Sequence, residues 1–355
     1  MSNAPVVTDQ LANFWRLFYS PDVSNVQLAL VLAKRLPGLD WASILADYQA
    51  LYQALFGQDD QSFGVDQIMA LNQPEIHVTQ SGHQTLPPSI GRLRNLRRLN
   101  LGYQQLRFLP DEFCSLMNLQ RLDLSDNDLM TLPERIGDLK SLLDLDIRLN
   151  HLTALPEGLG DLMHLQYLSV RSNELTQVPD TIKGLTNLKR LDLTYNRLTV
   201  LPNGLDNLVN LTQLYLSHNR LVSLPKDWAG LVNLQTLSLM GNQLASLPED
   251  LGNLSALQDL ILNENKLTVL PDSLGNLVNL QRLRLAYNEL NALPESLGDL
   301  GDLQKLDLAY NSLRSLPACL GNLTSLQSLR LENNPLPASE RAKVRTWLPN
   351  CEVIF

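Results

Sequence analysis

Residues 188–210 read LKRLDLTYNRLTVLPNGLDNLVN, and the rest of the chain is arranged around copies of this stretch. Copies start every 23 residues, at Leu96, Leu119, Leu142, Leu165, Leu188, Leu211, Leu234, Leu257, Leu280, Leu303 and Leu326. Self-similarity at a fixed period of roughly 20 to 50 residues indicates a stacked repeat architecture. In each copy we number the first leucine as position 1.

The first half of each copy predicts a short β-strand. In the quoted stretch, Leu191 and Leu193 alternate with polar residues, which is the period-two pattern of a strand buried on one face. A strand this short cannot bury its leucines alone. Stacked copies are therefore expected to pair in a parallel sheet and to merge their inward leucines into one core.

The second half of each copy predicts a turn and a return arm. Asn196 follows the strand, and an asparagine recurs there in most copies. Because an amide side chain both donates and accepts hydrogen bonds, we interpret these asparagines as structural groups that satisfy the backbone of the turn. Leu201-Pro202 then fixes the start of the return arm, and the glycine that recurs at the next turn, as in Gly298, is attributed to backbone freedom.

The full pattern is Leu-x-x-Leu-x-Leu-x-x-Asn-x-Leu-x-x-Leu-Pro-x-x-Leu-Gly-x-Leu-x-x. It resembles the leucine-rich repeat family, specifically the intracellular 23-residue class seen in Ras-binding scaffold proteins and in many bacterial repeat proteins. The resemblance covers residues 73–355. It implies an α/β solenoid of about twelve repeats, a horseshoe with a parallel β-sheet on its concave face, that binds other proteins without catalysing a reaction.

Three segments are predicted along the chain. Residues 1–72 lie outside the repeat and form either a helical N-terminal cap or a docking domain, with helices from about Thr8 to Tyr19, Val26 to Leu36, Asp40 to Phe56 and Asp66 to Leu71. Residues 73–337 form the repeat array, whose first copy is degenerate and carries Ser81 and His83 in place of the usual Asn and Leu. Residues 338–355 form a C-terminal cap with a helix from about Ser339 to Trp347 and a last short strand.

Composition excludes several classes of partner. The net charge of −9 argues against nucleic acid and acidic membrane surfaces, which need a basic surface. The start MSNAPVVTDQ lacks the pattern of a signal peptide. The sequence contains no run of eighteen apolar residues, so it predicts no membrane span. Cys114, Cys319 and Cys351 are not paired by spacing. We expect a cytoplasmic monomer without a cofactor.

The sequence holds no strong catalytic motif. It has no phosphate-binding loop, no H-E-x-x-H and no C-x-x-C, and its five histidines fall at five different repeat positions. Asp123 and Asp146 share one position in adjacent copies, with further carboxylates nearby, and calcium takes oxygen ligands of this kind. The interleaved Arg121 and Arg148 favour a salt-bridged surface instead. Metal binding or an enzymatic role at this cluster is therefore the third functional hypothesis.

The concave face carries the predicted binding site. Positions 3, 5, 7, 8 and 10 are expected to project from it free of the core, and six of the nine tyrosines fall there. Tyrosine, arginine and methionine bury much area in interfaces, and an uncharged centre between charged flanks is typical of a protein-binding surface. In that centre, Met240 and Ile261 are expected to be exposed. The predicted partner-binding residues are Tyr167, Arg171, Arg190, Tyr195, Tyr215, Met240, Ile261, Arg284, Tyr287 and Tyr310.

The first functional hypothesis is accordingly an intracellular scaffold or adaptor, with signalling as its expected setting, that holds a folded protein on this face. Its stiff, preformed surface would keep the ordering cost of binding low. The alternative is a secreted or injected bacterial effector that acts by binding a host protein.

Overall fold

Four helices precede the repeats. The structure, a computed structural model, describes residues 4–57, 63–78 and 84–355, so Ser81 and His83 lie outside the described residues. The helices are α1 (Ala4–Phe18), α2 (Val23–Ala33), α3 (Trp41–Phe56) and α4 (Val65–Leu71). All four were predicted, but α1 begins four residues before the expected start at Thr8, and α2 begins and ends three residues earlier than expected. The reason is the Asp22 carboxylate, which caps α2 by accepting hydrogen bonds from the N–H groups of Ser24 and Asn25 at 2.7 and 3.3 Å.

The helices pack on the first repeat and form an N-terminal cap. Phe18 and Tyr48 are fully buried in the bundle, with ring centroids 5.0 Å apart. The Asn95 side chain, at the end of the degenerate copy, donates to the backbone oxygen of Tyr19 at 2.7 Å. The Arg92 guanidinium lies 2.7 Å from the Asp47 carboxylate of α3. Both apolar and polar contacts therefore attach the bundle to the first repeat.

In the described part of the chain, the repeats supply twelve three-residue strands and the tail supplies a thirteenth, in agreement with the predicted copies and the predicted last strand. The chain divides into two compact units, Met1–His151 and Leu152–Phe355. The first unit contains β1 (Glu75–His77), β2 (Arg98–Asn100), β3 (Arg121–Asp123) and β4 (Asp144–Asp146). The second contains β5 (Tyr167–Ser169), β6 (Arg190–Asp192), β7 (Gln213–Tyr215), β8 (Thr236–Ser238), β9 (Asp259–Ile261), β10 (Arg282–Arg284), β11 (Lys305–Asp307), β12 (Ser328–Arg330) and β13 (Glu352–Ile354). Helix α5 (Ala338–Trp347) precedes β13.

Within each unit, successive strands pair in parallel and in sequence order. Each strand residue lies opposite the equivalent residue of the next copy, so that Arg190 lies opposite Gln213 and Leu191 lies opposite Leu214. The inward leucines form the core: Leu191 is fully buried and Leu193 is 1% exposed. Since burying one leucine side chain contributes about 1.5–3 kcal/mol, the stacked leucines hold each unit together.

The asparagine of each copy joins neighbouring repeats. Asn219 accepts a hydrogen bond from the N–H of Leu198 at 3.0 Å and donates to the oxygens of Leu193 and Leu216, each at 3.0 Å. Two of these three partners belong to the preceding copy. The same arrangement recurs at Asn196, Asn242, Asn265, Asn288, Asn311 and Asn334. The predicted structural role of these asparagines is confirmed.

The return arms contain short 3-10 helices that the sequence pattern did not predict, such as Glu295–Asp299. Their glycines were attributed to backbone freedom, and that interpretation is wrong. Gly252, Gly275 and Gly298 do not have left-handed backbones; instead, an added Cβ would overlap the backbone of the next copy. In Gly298 this Cβ would lie 2.7 Å from both the Cβ and the backbone oxygen of Cys319. Close stacking of the copies, rather than turn geometry, therefore requires glycine.

Candidate interaction surface on the strands of the second unit

The strands of the second unit present one continuous set of outward side chains, at positions 3, 5, 7 and 8 of its copies. We call this surface the strand face. Because adjacent strands lie about 4.8 Å apart, residues at the same position form columns across the copies. All ten predicted binding residues lie in these columns and within this unit.

Exposure separates the ten residues into two groups. Tyr167, Arg171, Arg190, Tyr195, Arg284, Tyr287 and Tyr310 are exposed. Tyr215, Met240 and Ile261 are only half-buried, so the expectation that Met240 and Ile261 are exposed is wrong. The same columns even contain buried residues, including Asp192, Ser217 and Ser238. Side chains in neighbouring columns lie close enough to cover small side chains and those at the centre of the face. The repeat pattern alone does not reveal which outward side chains are covered in this way.

Position 8 has a backbone feature that the sequence analysis missed. Every residue of this column from Ser172 to Asn333 has a positive φ, and the non-glycine values lie between 54° and 58°. The left-handed region costs an ordinary L-residue about 1–2 kcal/mol and favours glycine and asparagine. Gly241 and Asn333 in this column were the available sequence signal. The backbone conformation therefore does not explain why tyrosines occur at the same position.

Tyr195 and His218 form the first aromatic stack. Their ring centroids are 4.4 Å apart and the rings are inclined by 7°. The Arg171 guanidinium lies over the Tyr195 ring at 5.2 Å. A Cβ at Gly241 would lie 2.5 Å from His218 Nδ1, so a larger residue there would displace the imidazole from this position. Such cation–π and ring contacts hold the side chains in a fixed position.

Tyr287 and Tyr310 form the second aromatic stack. Their centroids are 4.1 Å apart and the rings are inclined by 9°. The hydrogen bond with the Tyr310 side chain raises the pKa of Tyr287, so the Tyr287 phenol stays protonated and neutral at physiological pH. Both side chains are more than two-fifths exposed, at 52% and 42%. This stack is a rigid apolar surface with polar hydroxyl groups.

The strands of this face carry an excess of cations. Positions 3 and 5 of β5–β12 hold the cations Arg190, Arg282, Arg284, Lys305 and Arg330 and the carboxylates Asp192, Asp259 and Asp307. Each carboxylate lies within 3.0–3.6 Å of one arginine, namely Arg190, Arg282 or Arg330. Two cations therefore have no carboxylate in these columns, although the whole chain is acidic.

The carboxylate cluster of the first unit lines a separate cavity of about 300 Å³, together with His77, Arg98 and Arg121. Burial raises the pKa of Asp146 and of Asp144, and the nearby charge of Asp123 adds to the effect. Residues 4–57, 63–78 and 84–355 contain no group of three or more His, Cys, Asp or Glu side chains placed to hold a metal ion. The lining of the cavity therefore mixes carboxylate and guanidinium groups.

The cysteines show no sign of activation. Burial raises the pKa of Cys114 and of Cys319 to about 11, and it also raises the pKa of Cys351. Since the thiolate is the nucleophilic form, these thiols are poorly reactive at neutral pH. No helix among the described residues is long and apolar enough to cross a bilayer.

Comparison with known proteins identifies the family. The leucine rich repeat model matches residues 75–129, 164–221, 186–244, 232–290 and 291–336, which is more than half of the chain. The chain belongs to the leucine-rich repeat family. No curated protein sequence matches it.

Several solved structures are similar. A leucine-rich repeat protein of Leptospira interrogans is 30% identical, with 89% of this chain and 98% of that one covered and a TM-score of 0.52. The Arabidopsis receptor kinase HAESA, in complex with the peptide hormone IDA and the co-receptor SERK1, is 27% identical; 74% of this chain and 50% of that one are covered, with a TM-score of 0.60. The chain thus spans half of that receptor chain. An internalin of Listeria monocytogenes, 21% identical over 87% of this chain and 94% of its own, shares the fold with a TM-score of 0.64.

Proposed function

We propose that the protein is a non-enzymatic scaffold that binds a folded protein partner on the strand face of its second unit. We further propose that it does so as a cytoplasmic monomer in intracellular signalling. The observation that carries the proposal is the pair of aromatic stacks, Tyr195 with His218 and Tyr287 with Tyr310, whose three tyrosines are exposed at backbone positions that disfavour tyrosine. Exposed, fixed aromatic side chains are the typical anchors of protein interfaces.

The rigidity of the face also supports the proposal. Its side chains stand on short paired strands and on the residues that directly follow them, and the two stacks hold four rings in place before any partner arrives. Binding to such a surface requires little ordering of side chains, which otherwise costs about 0.5–1.5 kcal/mol per immobilised group. A preformed surface of this kind suits a partner that is itself folded.

Family membership supports the same conclusion. HAESA, which shares 27% identity with this chain, was crystallised with a peptide hormone and a co-receptor. Fold alone does not define a function, so the proposal rests on the strand face and uses the relative only as a precedent for protein binding.

The test is affinity capture from the cytosol of the native cell, read by mass spectrometry. It compares the full chain with one triple variant and one double variant. In the first, Tyr195, Tyr287 and Tyr310 are replaced by Ser. In the second, the matched control, the exposed apolar residues Leu28 and Val31 of α2 are replaced by Ser. The tyrosines are preferred to Met240 and Ile261 because they are exposed, so their loss affects the core least.

The expected result is a specific partner that is retained by the α2 variant and lost by the tyrosine variant, with both variants melting close to the wild type. A partner that is lost only with the α2 variant would contradict the proposal, because the helical segment would then be the docking element and the repeats a spacer.

A further inference from the structure

We infer that the partner presents an acidic, extended segment to β10 and β11, where Arg284 and Lys305 bind two of its carboxylates. This inference rests on the proposed function and specifies the chemistry of the partner at that site. It is carried by the distribution of charge at positions 3 and 5 of β5–β12, where five cations stand against three carboxylates although the whole chain is acidic.

The exposed guanidinium of Arg284 is unpaired among the described residues, because its neighbours in the sheet are either uncharged or already bound to other groups. On β9 its neighbour is Ile261, which has no charge, and on β11 its neighbour is Asp307. Both Asp307 oxygens are engaged: Oδ1 accepts the N–H of Ala309 at 3.1 Å, and Oδ2 lies 3.5 Å from Arg330. Arg284 accordingly makes no side-chain hydrogen bond or ion pair within the described part of the chain.

Lys305 is the second cation without a partner among the described residues. Its neighbours in the sheet are Arg282 on β10 and Ser328 on β12. Arg282 is itself neutralised by Asp259, whose Oδ2 atom lies 3.0 Å from its Nε atom. Lys305 therefore stands between a paired cation and a hydroxyl group, and nothing in its column compensates its charge.

The spacing of the two cations defines the shape of the ligand. Arg284 lies one strand across and two residues along from Lys305, a separation of about 8 Å between their Cα atoms. In an extended chain, alternate side chains lie on one face and are about 6.6 Å apart. Two acidic residues separated by one other residue can thus reach both cations, each through a charge-assisted hydrogen bond.

The second aromatic stack lies beside these cations in the same copies, since Tyr287 follows Arg284 by three residues and Tyr310 follows Lys305 by five. Its exposed ring surface fits an apolar or aromatic side chain adjacent to the acidic residues. The complete ligand is therefore a segment with alternating acidic residues and a neighbouring aromatic or aliphatic anchor.

The test selects peptides from a phage-displayed library of random dodecapeptides on the full-length protein. Four proteins are compared: wild type, R284E/K305E, the matched control R314E/K226E and Y195S/Y215S. The control reverses two other exposed cations of the same unit, outside the strand face, and changes the net charge by the same amount. Synthetic copies of the most enriched peptides are then titrated at low and high salt.

The expected result is an enrichment of Asp and Glu separated by one residue, with a nearby aromatic residue. The R284E/K305E variant should bind these peptides about a hundredfold more weakly or worse, because it loses two hydrogen bonds to charged groups and places carboxylates opposite the carboxylates of the peptide. The control should bind them like the wild type, and added salt should weaken the wild-type interaction.

Selected peptides without an acidic bias, or with affinities that R284E/K305E leaves unchanged, would overturn the inference, and so would the absence of any enrichment. If non-acidic peptides are selected and Y195S/Y215S abolishes their binding, only the inference fails, because the strand face still binds a protein segment. Failure of the proposed function itself is read separately, from native partners that are still captured when Tyr195, Tyr287 and Tyr310 are replaced by Ser.

Discussion

The Oδ1 atom of Asn219 accepts a hydrogen bond from the backbone N–H of Leu198, one copy earlier in the chain, at 3.0 Å. Its Nδ2 group donates to the oxygens of Leu193 and Leu216. One side chain therefore satisfies three backbone groups beneath the strand face, and the recurrence of this arrangement fixes the spacing of the copies.

Replacing Asn219 with Ala should destabilise the protein by about 3 kcal/mol or more, because each buried polar group left without a partner costs about 1–3 kcal/mol. The matched control is Asn210→Ala. Asn210 is exposed and its side chain donates one hydrogen bond, to the oxygen of Thr186 at 2.9 Å, so its loss should cost about 1 kcal/mol. Guanidinium unfolding followed by circular dichroism measures both. Equal losses would show that the buried asparagine has no special role.

The number of copies over which a residue interacts explains which features the sequence could predict. Asn219 and the core leucines act within one copy and its neighbour, so a repeated pattern suffices to predict the strands, their parallel pairing and the asparagine contacts. All ten predicted interface residues lie in the outward columns for the same reason. The prediction of the columns needed only the period-two alternation of the strand.

The remaining features depend on several copies at once. Met240 and Ile261 are half-buried because neighbouring side chains cover them, and the sequence of a single copy does not contain that information. Likewise, Arg284 is unpaired because Asp307 is committed to Arg330, a residue two copies away. The left-handed backbone at position 8 was the most accessible of the missed features, because Gly241 and Asn333 occupy the column.

Close packing of the return arms predicts a sharp difference between two equivalent glycines. In Gly298→Ala the new Cβ would lie 2.7 Å from the backbone oxygen of Cys319, and overpacking of this kind costs about 1–3 kcal/mol. In Gly321→Ala the nearest atom is the Cβ of Trp347 at 3.5 Å, an ordinary contact, so stability should change little or rise by about 0.4–1 kcal/mol. Thermal unfolding compares them. A similar loss in both variants would mean that backbone conformation, rather than the next copy, requires glycine.

Backbone strain predicts that some tyrosines reduce stability. Tyr103 occupies position 8 in the first unit, with a φ of 61° and 65% of its surface exposed. Tyr103→Asn should raise the free energy of unfolding by about 0.5–1 kcal/mol, because asparagine tolerates the left-handed region better. Tyr167→Asn is the control, since Tyr167 is an exposed tyrosine on β5 without a positive φ. There the substitution should lower stability by up to about 1 kcal/mol, as strands favour aromatic residues over asparagine. Losses in both variants would refute the strain argument.

The carboxylate cluster of the first unit predicts a pH-dependent gain in stability. Burial and the charge of Asp123 raise the pKa of Asp144 above its ordinary value of 3.8. The folded state then binds this proton more tightly than the unfolded state, so the ionised carboxylate opposes folding above the folded pKa, and the penalty vanishes below the unfolded pKa. Asp144→Asn should therefore stabilise the protein at pH 7 and leave its stability nearly unchanged at pH 3.

The matched control for this comparison is Asp9→Asn, which removes one exposed carboxylate from α1 and one unit of the net charge of −9. Urea unfolding of both variants at the two pH values separates the local effect from the general one. A gain for Asp144→Asn that persists at pH 3 would indicate better packing by the amide, and an equal gain in both variants at pH 7 would assign it to net charge. Only a gain specific to Asp144 and confined to neutral pH supports the penalty that burial and the charge of Asp123 impose on the ionised Asp144 carboxylate.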